Sequence, residues 1–290
     1  MICPICSQAI FPKLTSWTYY CGRCDYWGST LRPVTKVLPK DEFLAQRETQ
    51  ENPIEYLDDL RRQNFRICLQ HLAVLKDEVS GPLLEVGCGA GLFLECANAA
   101  GFDARGIEAY EAMARQGIKL GRNIRIGLFP DCLDEKDRFG AVVFNDVFEH
   151  LPDVAQLLRT CRRHLPANGL LVINHPNSHG LFFRIATGGH RVGFRGPWER
   201  LWQKMFFTPH LHYFSPKSLE LLCRAAGFEP VTATIGLKAV SLKGLWSRIK
   251  ADPDASAFQG MLTFASTILL ASIAPLFESD CILRIFRKTP

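Results

Sequence analysis

The sequence predicts an α/β fold, in which strands and helices alternate around an open parallel sheet and a small cysteine-rich element precedes it. Three observations carry that prediction. A short apolar run, Leu83-Leu84-Glu85-Val86, breaks into the glycine-rich turn Gly87-Cys88-Gly89-Ala90-Gly91 and then into a helical pattern. A second apolar run, Ala141 to Phe144, ends in Asn145, Asp146, Glu149 and His150, at the strand end where open α/β sheets receive ligands. Two Cys-x2-Cys pairs, Cys3/Cys6 and Cys21/Cys24, stand near the start with a spacing that suits a metal ion.

Composition narrows the class. With 290 residues and 47% hydrophobic content, the chain can bury a full core, as one large domain with an appendage. A formal charge of +5 admits an anionic substrate or a membrane surface without demanding nucleic acid. No charged-then-apolar or basic amphipathic leader opens the sequence, so the expected location is the cytoplasm. Eleven cysteines are present; those outside the two pairs, such as Cys68, Cys161 and Cys223, stand singly. That is how small core residues are used in a reducing compartment.

Residues 1–35 read as a zinc ribbon. Thiolates from two such knuckles can hold Zn2+ tetrahedrally, and a segment this short has no core without the metal. Four cysteines close the coordination sphere, so the ion is structural. Tyr19 and Tyr20 before the second pair, and Tyr26 and Trp27 after it, suit the strands of the ribbon. Residues 36–80 read as a polar linker followed by helices, with Leu57, Leu60, Phe65, Leu69, Leu72 and Leu75 at helical spacing.

The remainder, 81–290, is one α/β domain. Glycine in the turn after Val86 permits positive φ and close backbone approach of a ligand, and the helix from Leu92 begins with unpaired N–H groups. Gly101 stops that helix, Ala104 to Glu108 forms the next strand, and Glu108 falls about 20 residues past the first glycine, where such folds place a carboxylate on ribose hydroxyls. A helix over Ala109–Leu120 and a strand at Ile124–Ile126 continue the alternation. Gln156–Leu165 is an amphipathic helix. Leu170–Ile173 is a buried strand ending in Asn174-His175-Pro176-Asn177. His175 either approaches substrate or is a buried histidine bonded to a carbonyl; the residues leave both open.

Segment 180–209 breaks the alternation. Its Arg191, Arg195 and Trp198 suit phosphate, carboxylate or sugar recognition and make it a substrate-lid candidate. Ser215 caps a helix with Pro216 in its first turn, and Gly227 ends it. Segment 255–277 carries no charged residue; its Gln259, Gly260 and Pro275 favour membrane-surface contact or ordinary packing over a crossing. Ile282–Phe286 reads as a last strand.

The G-x-G-x-G spacing differs from the G-x-G-x-x-G of nicotinamide and flavin binders. With Glu85, Gly87, Gly89 and Gly91 in an E-x-G-x-G-x-G pattern, it resembles the first motif of class I S-adenosylmethionine-dependent methyltransferases. Two further elements resemble the branch that includes ubiquinone-biosynthesis O-methyltransferases: Glu149-His150-Leu151-Pro152-Asp153, and His210 through Phe228 with Phe214-Ser215 and Ala226-Gly227-Phe228. The resemblance implies a Rossmann-like doubly wound sheet of seven mostly parallel strands. It also implies S-adenosyl-L-methionine held by Glu85, Gly87, Cys88, Gly89, Gly91 and Glu108, with Leu128, Asn145 and Asp146 along its edge. In the Gly127–Asp131 run the sequence departs from the family pattern, leaving Leu128 backbone groups or a stacked Phe129 to meet the adenine.

The implied reaction is methyl transfer to an oxygen, or less readily a nitrogen, of a small-molecule, glycan or lipid-linked acceptor. Glu149, Arg191, Arg195, Trp198, His210 and His212 are the candidate acceptor contacts, and His150 or His175 the candidate base. Peripheral membrane contact is one reading of the apolar segment, and ordinary packing the other. Two alternatives stand beside this: an RNA methyltransferase whose ribbon recognises ribosomal RNA, against which the sequence shows no strong basic run, and a cofactor-binding adaptor without transfer activity.

Overall fold

The computed structural model describes residues 1–32, 54–75, 80–204, 206, 208–239, 272 and 276–290. Most of the expected linker and most of the apolar 255–277 segment lie outside the described residues.

Apolar runs, buried on both faces in the middle strands and partly exposed at the edge, make the central sheet. Its parallel part comprises β4 (Leu83–Val86), β5 (Ala104–Glu108), β6 (Ile124–Ile126), β7 (Ala141–Asn145) and β8 (Leu170–Pro176). In space the order is β6-β5-β4-β7-β8, all parallel. The strand order reverses between β4 and β7, which opens a crevice at their carboxyl ends. The C-terminal β12 (Cys281–Lys288) adds antiparallel to β8. The outer edge is shared by β10 (Phe228–Pro230) and β11 (Ile235–Leu237), which pair with opposite ends of β12. The expected seven positions are therefore present, with the last one interrupted. Between its halves Val231 N–H still donates to Ile285 O, while the Thr232 hydroxyl accepts from Ile285 N–H.

Helices cover both faces, as burial of both sheet surfaces requires. They are α1 (Ile54–Val74), α2 (Leu92–Ala99), α3 (Glu111–Lys119), α4 (Val154–His164) and α7 (Pro216–Ala225). The Asp153 carboxylate caps α4 by accepting from Gln156 N–H, and Ser215 and Ser218 form a reciprocal capping box on α7. Two fully buried packs flank the sheet. One contains Phe144, Phe148 and Phe214 and the other Leu72, Phe93 and Leu283.

Among its described residues, segment 180–209 is largely helical. It holds α5 (Leu181–Arg191) and α6 (Gly196–Leu201). Phe183 and Ala186 at helical spacing, and Trp198 and Trp202 four apart, turn one face inward. They form an aromatic core with Trp27 and Tyr213.

That core joins the N-terminal element to the rest of the protein. Strands β1 (Phe11–Pro12), β2 (Thr18–Cys21) and β3 (Tyr26–Ser29) form an antiparallel meander. Its fourth strand is β9 (His212–Phe214), which lies between the α6 region and α7 in the chain and pairs antiparallel with β3. Among the described residues, no helix is long and apolar enough to cross a membrane.

Candidate functional site

At the carboxyl end of β4 the chain turns through three glycines, each with positive φ. Gly87 is sterically required as well: a Cβ there would lie 2.7 Å from Val147 Cγ2. Gly89 N–H donates to Glu108 Oε2 and Tyr110 N–H to Glu108 Oε1, both at 2.7 Å. The carboxylate at the end of β5 is thereby locked against the turn after β4. Burial raises the Glu108 carboxyl above its ordinary value, opposed by these backbone donors.

Glu85 lies beneath the turn, 3% exposed. Asn145 Nδ2 donates to its Oε1 at 2.8 Å, and its Oε2 has no partner. Burial, with Glu108 adding repulsion, pushes the Glu85 carboxyl up to about 8. A buried carboxylate with one orphaned oxygen fits a cationic ligand group placed beside it. This donor set — an orphaned carboxylate oxygen, a positive-φ glycine turn and a second carboxylate on the neighbouring strand — fits the aminoacyl and ribose parts of S-adenosyl-L-methionine. Leu128 is half exposed, just before the cis Phe129–Pro130 bond, and Phe129 stands edge-on to Phe144 with centroids 6.0 Å apart. Cys88 is buried under the turn and its sulfur faces Gly106.

Asn145 ends β7 and Asp146 follows it. Asp146 is exposed at φ +52°, and its N–H donates to Asn174 O. Asn174, paired with Asn145 across the two strands, is buried with its Oδ1 unpartnered. Sequence reasoning did not single it out. The available signal was a second polar residue ending the strand next to β7.

Beyond β7 the chain makes one 3-10 turn, Phe148–His150, which presents Glu149 and His150. His210 faces them: the His150 and His210 rings lie 4.7 Å apart, and Glu149 Oε1 is 3.9 Å from His150 Nε2 and 4.0 Å from His210 Nε2. Glu149 Oε2 and His210 Nδ1 are buried without partners. Burial, then the charge of Asp146, raises the Glu149 carboxyl well above its ordinary range, while burial lowers both histidines. The Pro209 carbonyl accepts from His150 Nδ1 at 3.0 Å. In that tautomer Nε2 carries the lone pair, and His150 retains some exposure, 16% of its side chain. One carboxylate and two imidazoles within 4.8 Å of one another also form a donor set able to ligate a cation.

Other candidates fall elsewhere. His212 is buried with both ring nitrogens engaged, Nδ1 with Tyr26 OH at 2.5 Å and Nε2 with Leu151 O at 2.9 Å, so no ring nitrogen remains for an acceptor. Trp198 is fully buried in the aromatic core and presents no face to a ligand. The structure thus places both away from the expected acceptor contacts: Trp198 faces inward from the short helix α6, and His212, on strand β9, is engaged by a residue distant in sequence. Arg191 and Arg195 are exposed around the end of α5. His175 is fully buried, donating from Nδ1 to Pro176 O at 2.8 Å, with Nε2 unpartnered. Burial pushes it down to about 4.

The four N-terminal thiols converge from two turns. Their sulfurs lie within 4.8 Å of one another, with Cys6 Sγ 3.7 Å from Cys21 Sγ, and all four are free. Zinc–sulfur bonds of about 2.3 Å in a tetrahedron require sulfur separations of about 3.8 Å. The donor set therefore fits a closed Zn2+ site.

Comparison with known proteins agrees with the architecture. The sequence profile of a methyltransferase-domain family matches residues 56–233, more than half of the chain. The protein belongs to this family and is an S-adenosylmethionine-dependent methyltransferase. Among curated relatives, the ubiquinone biosynthesis O-methyltransferase of Azorhizobium caulinodans is 28% identical over 188 residues, 61% of this chain and 69% of that protein. The protein of the same name from Caulobacter sp. (strain K31) is 31% identical over 185 residues, 59% and 68% of the two chains. A crystal structure from Thermotoga maritima, described as an S-adenosylmethionine-dependent methyltransferase and possible histamine N-methyltransferase, shares the fold. Its TM-score is 0.53 at 17% identity, covering 86% of this chain and 97% of that one.

Proposed function

We propose that the protein transfers the sulfonium methyl of S-adenosyl-L-methionine to an oxygen of a small-molecule, glycan or lipid-linked acceptor. The observation that carries this reading is the pairing of two sites across the β4/β7 crevice. On one side stand the Glu85–Gly91 turn and Glu108. On the other stands the Glu149–His150–His210 cluster, with Glu149 and His210 buried and His150 partly exposed. Relatives named as ubiquinone biosynthesis O-methyltransferases support an oxygen acceptor and a small molecule.

In this reading Glu85, Gly87, Cys88, Gly89 and Gly91 hold the aminoacyl end, Glu108 the ribose, and Leu128, Asn145 and Asp146 the remaining edge. The bound cofactor supplies an electrophilic methyl group, and the chain supplies position, exclusion of water and a proton acceptor. His150 is the preferred base. Its Nδ1 is fixed by Pro209, and burial keeps Nε2 unprotonated at neutral pH. Glu149 and His210 orient the acceptor hydroxyl, and Arg191 and Arg195 meet an anionic or headgroup portion. Structural Zn2+ on Cys3, Cys6, Cys21 and Cys24 holds the ribbon. A cytoplasmic location with peripheral membrane contact suits a lipid-linked acceptor.

Label transfer from methyl-tritiated cofactor into fractionated cell extract tests the reading, with Gly89→Arg protein as the control. Label in a nuclease-resistant small-molecule, glycan or lipid fraction supports it. Label confined to nuclease-sensitive RNA replaces it with the RNA methyltransferase alternative. Cofactor binding without label anywhere favours the adaptor.

A further inference from the structure

The N-terminal ribbon does more than precede the transferase: its last strand is continuous with the wall behind the reaction site. β3 and β9 pair in register Tyr26↔Phe214, Trp27↔Tyr213 and Gly28↔His212. Ser29 extends the pairing by donating from N–H to Leu211 O and from its hydroxyl to His210 O, both at 2.9 Å. On the far side of β9, Leu211 N–H donates to Glu149 O at 2.8 Å. The His210 carbonyl and both backbone groups of Leu211 are thus bonded to the ribbon or to the turn that carries Glu149, while His210 N–H donates to Trp202 O at 3.0 Å.

One side-chain relay runs along the same path. The Leu151 carbonyl can only accept, so His212 Nε2 carries its proton and donates to it at 2.9 Å. His212 Nδ1 is then the acceptor, and the Tyr26 hydroxyl donates to it. Every polar atom in this relay has a partner. Gly28 completes the arrangement, since a Cβ at this position would lie 2.8 Å from the Tyr26 hydroxyl oxygen. Tyr26 also packs in the same core as Cys3, Cys21 and Cys24. By contrast, among the described residues no hydrogen bond joins residues 1–32 to the Glu85–Gly91 turn or to Glu108.

We propose that the ribbon is a positioning module of the transferase. Strand β3, through the Tyr26–His212–Leu151 relay, fixes the orientation of Glu149, His150 and His210, so that the acceptor side of the site depends on the ribbon and the cofactor side does not. Tyr26 and His212 are positioning residues, acting through the turn they brace. The proposal rests on the transferase reading for its meaning, and on the hydrogen-bond path for its mechanics.

The test uses the full chain with Tyr26→Phe, which removes the donor and leaves His212 Nδ1 buried and unpartnered. Loss of such a bond corresponds to roughly 5- to 100-fold in a local opening equilibrium. Hydrogen–deuterium exchange should accelerate by that factor in peptides covering 148–152 and 210–214, with 83–91 unchanged. Binding of S-adenosyl-L-methionine measured by calorimetry should stay within about twofold. Nitrogen-15 histidine spectra should show His150 and His210 shifted in the variant and His212 losing its defined Nε2–H tautomer, changes that loosening of the ribbon alone would not produce. Gly28→Ala should reproduce the pattern, and treatment of wild-type protein with a zinc chelator should reproduce it even where a variant fails to fold. Faster exchange confined to residues 1–32, with unchanged His150 and His210 spectra, would overturn the positioning role. A wild-type chain that does not bind S-adenosyl-L-methionine would overturn the transferase reading instead, since the exchange map reads the mechanical coupling independently.

Discussion

Glu85 makes the sharpest demand at the level of a single side chain. Its carboxyl is held neutral up to about pH 8 by burial. With the folded value raised above the unfolded one, the stabilisation it gives the cofactor-free protein is fully present below about pH 4.5. It is then lost as pH climbs through about 8. Glu85→Gln, which cannot ionise, should flatten that part of the unfolding free-energy profile between pH 5 and 8, measured by urea denaturation. The same change should weaken cofactor binding at least about tenfold, because the amide offers no charge to the ligand's ammonium group. His150 and His175 separate at this scale too. His150→Ala should lower kcat by about 10²–10⁴ with cofactor affinity retained, as loss of a proton acceptor does. His175→Ala should instead lower the thermal midpoint, since His175 is fully enclosed against Phe214. The sequence showed two histidines at strand ends, but only the packing around them distinguishes an accessible Nε2 from an enclosed one.

Among elements, the turn between β4 and α2 was legible from the chain, since glycine spacing reports backbone conformation directly. All three glycines adopt the positive φ that their pattern requires. Gly87→Ala should be costly on two counts, the φ of +70° and the contact with Val147. A loss of about 1–3 kcal/mol in stability is expected from thermal denaturation, together with weakened cofactor binding. The segment after β8 was less legible. Arginine, glycine and tryptophan there suggest a substrate lid, yet Phe183, Trp198 and Trp202 fill a core whose other side is Trp27 and Tyr213. The partner of that apolar face lies far away in sequence, and periodicity carries no information about it. The same reason hides the role of His212, whose ring is engaged by a residue from the ribbon.

For the molecule as a whole, two sheets meet at one short strand. Alternation of strands and helices announced the larger sheet, whereas nothing in the spacing of the cysteines announces that β9 completes the smaller one. Because Trp27 packs edge-on against both Phe183 and Trp198, tryptophan fluorescence should report unfolding in the same transition as far-ultraviolet circular dichroism. Two separated transitions would show a ribbon that melts by itself.

Tyr26 and His212 stand 186 residues apart. A ribosome adding about 5–20 residues per second needs roughly 10–40 s to cover that distance. For that interval the nascent β3 has an unpaired edge, and Trp27 lacks Phe183, Trp198 and Tyr213 from the later chain. Capture of zinc by the first four cysteines would give the emerging segment a fold of its own while it waits. In the proposed zinc-bound form, metal supply during synthesis would then govern how much of the chain reaches its finished fold, ahead of any effect on turnover.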